Sequence, residues 1–248
     1  PARPTIPELS FAGETLNAIS ALTNLVMVPG QFNLLPPVEL LVRAIGMPYS
    51  AELARALRAS TIIVWYEDQL GNVSVGPRNT VEAEIVVHSR LGTTAAEIEI
   101  VKRYCSVVRD DGDGPELRFL QQLIRAVGPQ GATGPRYTSH WPAIADSLRS
   151  LRTDRSIRSP HIMLHEANLR REWSQKLRPL DDGYDQGQEQ LAEAVSVVRE
   201  ALDLLDSSPR PLRRLRTTLY VELAAAQGAL LNRSATDGQL TSDFTNRL

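Results

Sequence analysis

Residues 61–76 have the sequence TIIVWYEDQLGNVSVG, which predicts two short strands joined by a polar turn. The first part, residues 61–66, is rich in β-branched and aromatic side chains, a composition typical of strands. Gly71 and Asn72 favour a turn, after which residues 73–76 can pair back on the first strand. The sequence therefore predicts a β-hairpin at this point of the chain.

Helical patterns surround this hairpin. A short helix is expected to end at Gly46, because glycine commonly stops helices. A second helix is predicted at residues 51–59, and Asn79 is a suitable N-cap for a third at residues 81–90. Helix, helix, strand, strand and helix follow one another in the order of a winged helix-turn-helix. We therefore predict a winged-helix domain at residues 31–92.

The rest of the chain is predicted to be helical, which makes the fold mainly α. Residues 1–30 are expected to form a Pro-rich lead-in and a linking amphipathic helix over residues 8–28. After Thr93 there is no strand signal, and residues 93–232 are predicted to form antiparallel helical hairpins, either TPR-like or an irregular solenoid. Residues 233–248 are expected to fray. The predicted helices of this part cover residues 95–108, 116–127, 137–151, 160–177, 188–205 and 212–231.

Composition excludes several classes of protein. The 248 residues are 42% hydrophobic and 23% charged, which is typical of a globular chain and not of a disordered one. The single cysteine, Cys105, excludes an intrachain disulfide and a cysteine-based metal cluster. The net charge of −2 gives no general attraction to nucleic acid or anionic membranes, and no apolar run approaches the ~20 residues that span a bilayer. We therefore expect a cytoplasmic chain without a membrane partner.

The sequence contains no motif for nucleotide hydrolysis. A phosphate-binding loop needs a lysine after a glycine, and the only lysines, Lys102 and Lys176, follow other residues. The serine motif of α/β-hydrolases is also missing. The chain begins at Pro1 without a methionine, so we expect a segment of a longer protein. We predict that this segment is not itself an enzyme and has no cofactor of its own.

Two histidines offer a metal-site alternative. His161 and His165 are four residues apart, so a helix would place both on one face, the spacing of some zinc sites. A third ligand would have to come from elsewhere, such as His140 or Glu172. The competing interpretation is that both histidines are polar positions on a packed helix.

A DNA-binding alternative rests on arginines in and near the predicted second helix of the winged unit. Arg55 and Arg58 belong to that helix and Arg43 lies nearby, where they could contact phosphates or guanines. Glu67 and Asp68 at the hairpin tip would repel a phosphate backbone, whose contacts dominate such affinity. Nucleic-acid binding is therefore an alternative and not the leading prediction.

Three stretches resemble the winged-helix domain of STAND-type signalling NTPases. They are residues 35–41 (LPPVELL), residues 56–63 (ALRASTII) and residues 76–85 (GPRNTVEAEI). Two later stretches, residues 116–122 (ELRFLQQ) and 161–167 (HIMLHEA), fit the helical repeats that follow this domain in the family. The resemblance covers most of the chain and implies an upstream nucleotide-binding module that holds ATP or ADP.

The resemblance also implies a role for the residues between the second strand and the next helix. In the family a short basic or His-containing motif at this place senses the nucleotide phosphates, and Arg78 and Asn79 occupy the matching positions. Asn79 stands where histidine is common, so Arg78 is the residue expected to contact phosphate. The alternative is that Arg78 pairs locally with Glu82 or Glu84.

The mechanism that the resemblance implies is regulatory. ADP holds the nucleotide-binding and winged-helix domains closed, and the helical repeats bind a protein partner or trigger. Nucleotide exchange then permits homo-oligomerisation and activates an effector domain elsewhere in the protein, in bacteria often for antiphage defence. This segment would supply the sensor and the lid rather than the catalysis.

Overall fold

The structure is a computed structural model, and the residues it describes are mainly helical. The chain divides into two compact units, Pro1–Val127 and Gly128–Leu248. Within the described ranges, no helix combines the length and the apolar character that crossing a membrane requires. The prediction of a mainly α chain with a β-hairpin is confirmed. The described residues are 8–11, 14–46, 62–112, 114–177, 183–208 and 212–245.

The first unit consists of paired strands and of helices that pack around them. Both strand pairs are antiparallel: β1 (Glu8–Phe11) with β2 (Glu14–Asn17), and β3 (Ile63–Glu67) with β4 (Val73–Pro77). The described helices are α1 (Ala18–Gly30), α2 (Val38–Ile45), α3 (Thr80–Leu91), α4 (Thr94–Val107) and α5 (Pro115–Val127).

The β3–β4 hairpin forms where the sequence predicts it and is held against the start of α2. The two strands pair over their full length. Pro37 bridges to Ser74, and the Val75 amide donates a hydrogen bond to the Pro36 carbonyl over 3.0 Å. Gly46 caps the other end of α2 at φ +78°, which confirms the predicted stop.

Helix α4 is bonded to α1 and α2, and therefore belongs to the first unit. The Tyr104 hydroxyl donates to the Leu25 carbonyl of α1 over 2.6 Å, and the Tyr104 side chain is fully buried. The Arg103 guanidinium donates to the Ala44 carbonyl of α2 over 2.7 Å. The division between the compact units accordingly falls after α5, whereas the sequence-based boundary falls after residue 92.

The second unit is a succession of helices, each packed against the next. Helix α7 also packs against α9, and apolar side chains of α7, α8 and α9 share one core that includes Met163, Val198 and Leu219. The elements are a 3₁₀ helix (Gly134–His140), α6 (Trp141–Thr153), α7 (Pro160–Ser174), α8 (Gly183–Asp206) and α9 (Arg213–Thr245).

The first predicted helix begins later than expected. Residues 8–17 form β1 and β2, and α1 begins only at Ala18. The sequence of β1, ELSF, alternates polar and apolar residues with the period of a strand. Apolar residues of the same stretch also recur at helical spacing, which is why the sequence predicts a helix there.

Two further helices differ from their predicted limits. The helix predicted at residues 137–151 begins as a 3₁₀ helix and becomes α-helical at Trp141. The predicted frayed tail is instead helical as far as Thr245, because no proline interrupts the chain after Leu212. The helix predicted at residues 51–59 lies outside the described residues.

Candidate functional site

A small cavity lies where the end of α1, the β3–β4 hairpin and the start of α3 meet. Its volume is about 90 Å³. Its lining includes Arg78 and Asn79, the two residues for which the resemblance to STAND-type proteins implies phosphate sensing. The other lining residues are Gly30, Asn33, Leu35, Tyr66, Pro77 and Thr80.

A close approach of α1 to β4 fixes the backbone directly before Arg78. A Cβ on Gly30 would lie only 2.6 Å from ring carbons of Pro77, so glycine permits this contact. Pro77 is buried, and its carbonyl accepts a hydrogen bond from the Tyr66 hydroxyl over 3.0 Å. The chain therefore leaves the sheet towards Arg78 from a well-defined position.

Asn79 starts α3 and confirms the predicted N-cap. Its backbone is extended (φ −155°, ψ 164°), and its side-chain oxygen accepts a hydrogen bond from the Glu82 amide over 2.8 Å. That oxygen is used to cap α3. Arg78 is therefore the side chain of the pair that can reach an outside ligand.

Arg78 is exposed and has no partner in the part of the chain that the structure describes. Its guanidinium makes no hydrogen bond or ion pair there, including the local pairs with Glu82 or Glu84 that the sequence also allows. The N-terminus of α3, two residues further on, adds the partial positive charge of a helix end. Together they form a positively charged point that suits an anion such as phosphate.

The arginines of the DNA-binding alternative have a different setting. The Arg43 Nε donates to the Val107 carbonyl over 3.1 Å, and the guanidinium pairs with the buried Glu116 of α5. Arg43 therefore links α2 to α4 and α5 inside the first unit. Arg55 and Arg58 lie outside the described residues.

The tip of the β3–β4 hairpin is acidic and internally bonded. Asp68 accepts hydrogen bonds from the Leu70 amide (2.8 Å), the Asn72 amide (2.9 Å) and the Asn72 side chain (2.8 Å). These hydrogen bonds, with the Asn72 side chain first, lower the pKa of Asp68 below its ordinary value of 3.8. The tip is thus negatively charged at neutral pH, and such a charge opposes contact with a phosphate backbone.

The histidines of the metal-site alternative both lie on α7. His161 and His165 are half-buried. Of the suggested third ligands, His140 ends the 3₁₀ helix, and Glu172 pairs with Arg171 over 2.8 Å. Within the described ranges, no group of three or more His, Cys, Asp or Glu side chains is arranged to hold a metal ion.

The second unit contains a buried charge network that the sequence does not predict. Glu166 of α7 is fully buried and pairs with Arg170 over 3.3 Å and with Arg152 of α6 over 3.4 Å. Arg152 also pairs with Glu200 and Glu193 of α8, over 2.7 and 3.2 Å. Burial raises the pKa of Glu166 above its ordinary value of 4.5, although both arginines act in the opposite direction.

A second buried cluster joins α9 to α7. Glu222 of α9 accepts hydrogen bonds from Arg171 Nε over 2.6 Å and from the Asn168 side chain over 3.3 Å. One signal of the first network was present in the sequence, the i,i+4 spacing of Glu166 and Arg170 on α7. Their partners on other helices follow only from the packing.

Comparison of the chain with protein-family models, with curated proteins and with solved structures finds no match in any of the three. The resemblance to STAND-type proteins therefore stays a prediction from the sequence. The geometry around Arg78 is the feature of the described residues that bears most directly on function.

Proposed function

We propose that this chain is the winged-helix and helical-repeat sensor region of a STAND-type signalling NTPase, located in the cytoplasm. The first unit would contain the winged-helix domain, and the second would carry TPR-like repeats that bind a protein partner or trigger. ATP or ADP would belong to a nucleotide-binding domain elsewhere in the same protein. The observation that carries the proposal is the Arg78 guanidinium, which has no partner among the described residues and lies at the start of α3.

Arg78 and the N-terminus of α3 offer positive charge to the same ligand. A helix N-terminus carries about half a positive charge, and a guanidinium can bind two phosphate oxygens at once. The buried Pro77 holds the start of this segment in place, so little ordering is required on binding. A terminal nucleotide phosphate that binds here would hold the winged-helix unit against the nucleotide. Loss of this phosphate contact would release the winged-helix unit.

The outer face of α3 supports docking against another domain. Val81 and Ile85 lie about one turn apart in the first half of α3, the helix that follows Arg78, and are 62% and 63% exposed. Burying the part of these two side chains that is still exposed would stabilise a contact by roughly 1–2 kcal/mol each. A domain that presents a phosphate to Arg78 would cover this face.

The packing of the second unit supports a role in protein binding. Helices α6 to α9 each pack against their neighbour in the chain, as the units of helical repeats do. Repeats of this kind present extended surfaces to protein partners. The interior of the second unit is filled by buried charge pairs and apolar side chains. A protein partner is therefore expected to bind on the outer faces of the helices.

A titration of the ¹⁵N-labelled 248-residue chain with ADP, ATP and pyrophosphate tests the Arg78 site. We expect NMR shift changes at the Arg78 side chain and at the amides of Thr80 to Glu82, with a dissociation constant of about 1 mM because the rest of the nucleotide site is supplied elsewhere. Arg78→Gln should abolish these changes. Arg125→Gln removes an exposed arginine of α5 and should leave them intact.

Three results would count against the proposal. Absence of NMR shift changes, or shift changes that persist in Arg78→Gln, would show that Arg78 does not bind the phosphate. ATP turnover by the purified chain above a buffer blank would contradict a purely regulatory region. Steeply salt-dependent binding to random duplex DNA that disappears in Arg55→Ala and Arg58→Ala would favour the alternative, a winged-helix transcriptional regulator with a helical sensor domain.

A further inference from the structure

The cavity beside Arg78 is too small to enclose a whole nucleotide. Its volume of about 90 Å³ is well below the roughly 300–1,000 Å³ of sites that enclose a drug-sized molecule. It nevertheless exceeds the ~10–15 Å³ that a single water molecule requires, so it has room for a compact polar group. A nucleotide that binds here therefore inserts one end, and the rest of the molecule stays outside the cavity.

Three polar side chains of the cavity lining are available to a ligand. The Tyr66 hydroxyl and the Asn79 side-chain oxygen already make hydrogen bonds within the chain. The side chains of Asn33, Arg78 and Thr80 make none with the residues that the structure describes. Each of the three can donate, through an amide, a guanidinium and a hydroxyl. One positive charge beside two neutral donors suits a small anion.

The turn that follows α1 brings Asn33 to this cavity. The Asn33 backbone amide donates to the Gly30 carbonyl over 3.0 Å, and the Leu34 backbone amide donates to the Pro29 carbonyl over 3.1 Å. Asn33 has φ +58° in this turn, a conformation that asparagine adopts more readily than most residues. The turn also occupies carbonyls at the end of α1, which would otherwise repel an anion. The backbone of Asn33 forms the turn, and its side chain is left for a ligand.

We infer that the cavity takes only the terminal phosphate of a nucleotide, and that Asn33 and Thr80 complete the phosphate contact of Arg78. This inference rests on the proposed function and adds the chemical group that the site selects. A terminal phosphate has three strong acceptor oxygens, which matches the three donors. The ribose and the base are uncharged and remain outside the cavity, so they add little to the affinity.

Pyrophosphate is the probe that tests this selectivity, because it carries phosphate groups and no nucleoside. In a titration of the ¹⁵N-labelled 248-residue chain, pyrophosphate should shift the side-chain amide resonances of Asn33 together with the resonance of the Arg78 side chain. ADP should bind with a dissociation constant within about threefold of that of pyrophosphate. Adenosine should shift neither side chain.

Substitutions at Asn33 and Thr80 test the two added donors. Asn33→Gly tolerates the positive φ and removes the side chain, so the dissociation constant for pyrophosphate should rise about tenfold. Thr80→Val removes the hydroxyl at nearly the same shape and should have a similar effect. Asn33→Asp places a negative charge beside the anion and should abolish binding. Gln122→Glu adds the same charge at an exposed position of α5 and should leave the dissociation constant unchanged.

Two outcomes would overturn the inference and leave the Arg78 contact standing. ADP that binds more than about tenfold tighter than pyrophosphate would show that the site also contacts the nucleoside. Unchanged binding in Asn33→Gly and Thr80→Val, with binding still lost in Arg78→Gln, would show that Arg78 acts without the two added donors. By contrast, a chain that binds neither pyrophosphate nor ADP would contradict the Arg78 contact itself, and the present inference with it.

Discussion

At the hairpin tip, the Asn72 side chain lowers the pKa of Asp68. Its side-chain amide is the largest cause of the lowered pKa of Asp68, so Asn72→Ala should raise this pKa towards 3.8. Because the pKa is lowered in the folded chain, the stabilisation is present above the ordinary value and is lost as the pH falls through the lowered one. The tip should therefore weaken only in acid.

NMR titration of the Asp68 carboxyl carbon between about pH 2 and 6 measures this pKa directly. Gln69→Ala is the control, because Gln69 is also at the exposed tip and donates none of the hydrogen bonds to Asp68. An unchanged pKa in Asn72→Ala would show that the two backbone amides suffice.

At Gly30, helix propensity and packing act in opposite directions. Alanine is generally favoured over glycine in helices by up to about 1 kcal/mol. Here the new Cβ would lie 2.6 Å from the Pro77 ring, and such overpacking typically costs about 1–3 kcal/mol. We expect Gly30→Ala to lower the free energy of unfolding by about 1 kcal/mol, measured by urea denaturation.

Gly228→Ala is the matched control for this substitution. Gly228 also lies in a helix, but its added Cβ would meet no atom within 4 Å. Only the difference in helix propensity between glycine and alanine then acts, and the free energy of unfolding should rise by up to about 1 kcal/mol. If both variants changed stability in the same direction, the contact with Pro77 would not be the deciding cause.

At the scale of the elements, a buried charge network joins α6, α7 and α8: Glu166 of α7 pairs with Arg152 of α6, which also pairs with two glutamates of α8. Breaking a buried ion pair typically costs about 3–5 kcal/mol when the remaining charge has no other partner. Here Arg152 keeps its two glutamates of α8, and Arg170 keeps Asp146. We therefore expect Glu166→Ala to lower the free energy of unfolding by less, about 2 kcal/mol. The fully buried Arg170 would lose the acceptor at 3.3 Å, and Arg152 the one at 3.4 Å. Urea denaturation of the whole chain measures the change.

Glu189→Ala provides the control for the network. Glu189 is an exposed glutamate of α8 without a partner among the described residues, so its loss should change stability by less than about 0.5 kcal/mol. Equal effects of the two substitutions would mean that solvent screens the network and that Glu166 contributes no more than a surface charge.

The elements that the sequence predicted correctly are those with local signals. The β-branched run before the turn gives β3, Asn79 gives the start of α3, and Gly46 gives the end of α2. The buried environment of Glu166 could not be predicted, because it forms only when α6 and α8 pack against α7. Of the candidate site, the sequence predicted only Arg78 and Asn79. The cavity beside them could not be predicted, because it forms only where α1 approaches β4.

At the scale of the whole molecule, hydrogen bonds between distant segments decide where one unit ends. The sequence favoured a boundary after residue 92, where the winged-helix pattern stops and a capped helix follows. The structure attaches that helix, α4, to the earlier part through Tyr104 and Arg103, and attaches α2 to α5 through Arg43 and Glu116. None of these pairs is recognisable from sequence spacing.

Two pairs of fragments distinguish the two boundaries. Fragments 1–127 and 128–248 keep these bonds and each unit's core intact, so each fragment should unfold cooperatively on heating, as followed by circular dichroism. Fragments 1–92 and 93–248 separate Tyr104 from Leu25. Fragment 1–92 should unfold without cooperativity, because the buried side of α1 loses its contact with α4. If 1–92 melted as sharply as 1–127, the winged-helix pattern would fold without α4 and α5, and the boundary predicted from the sequence would be the physical one.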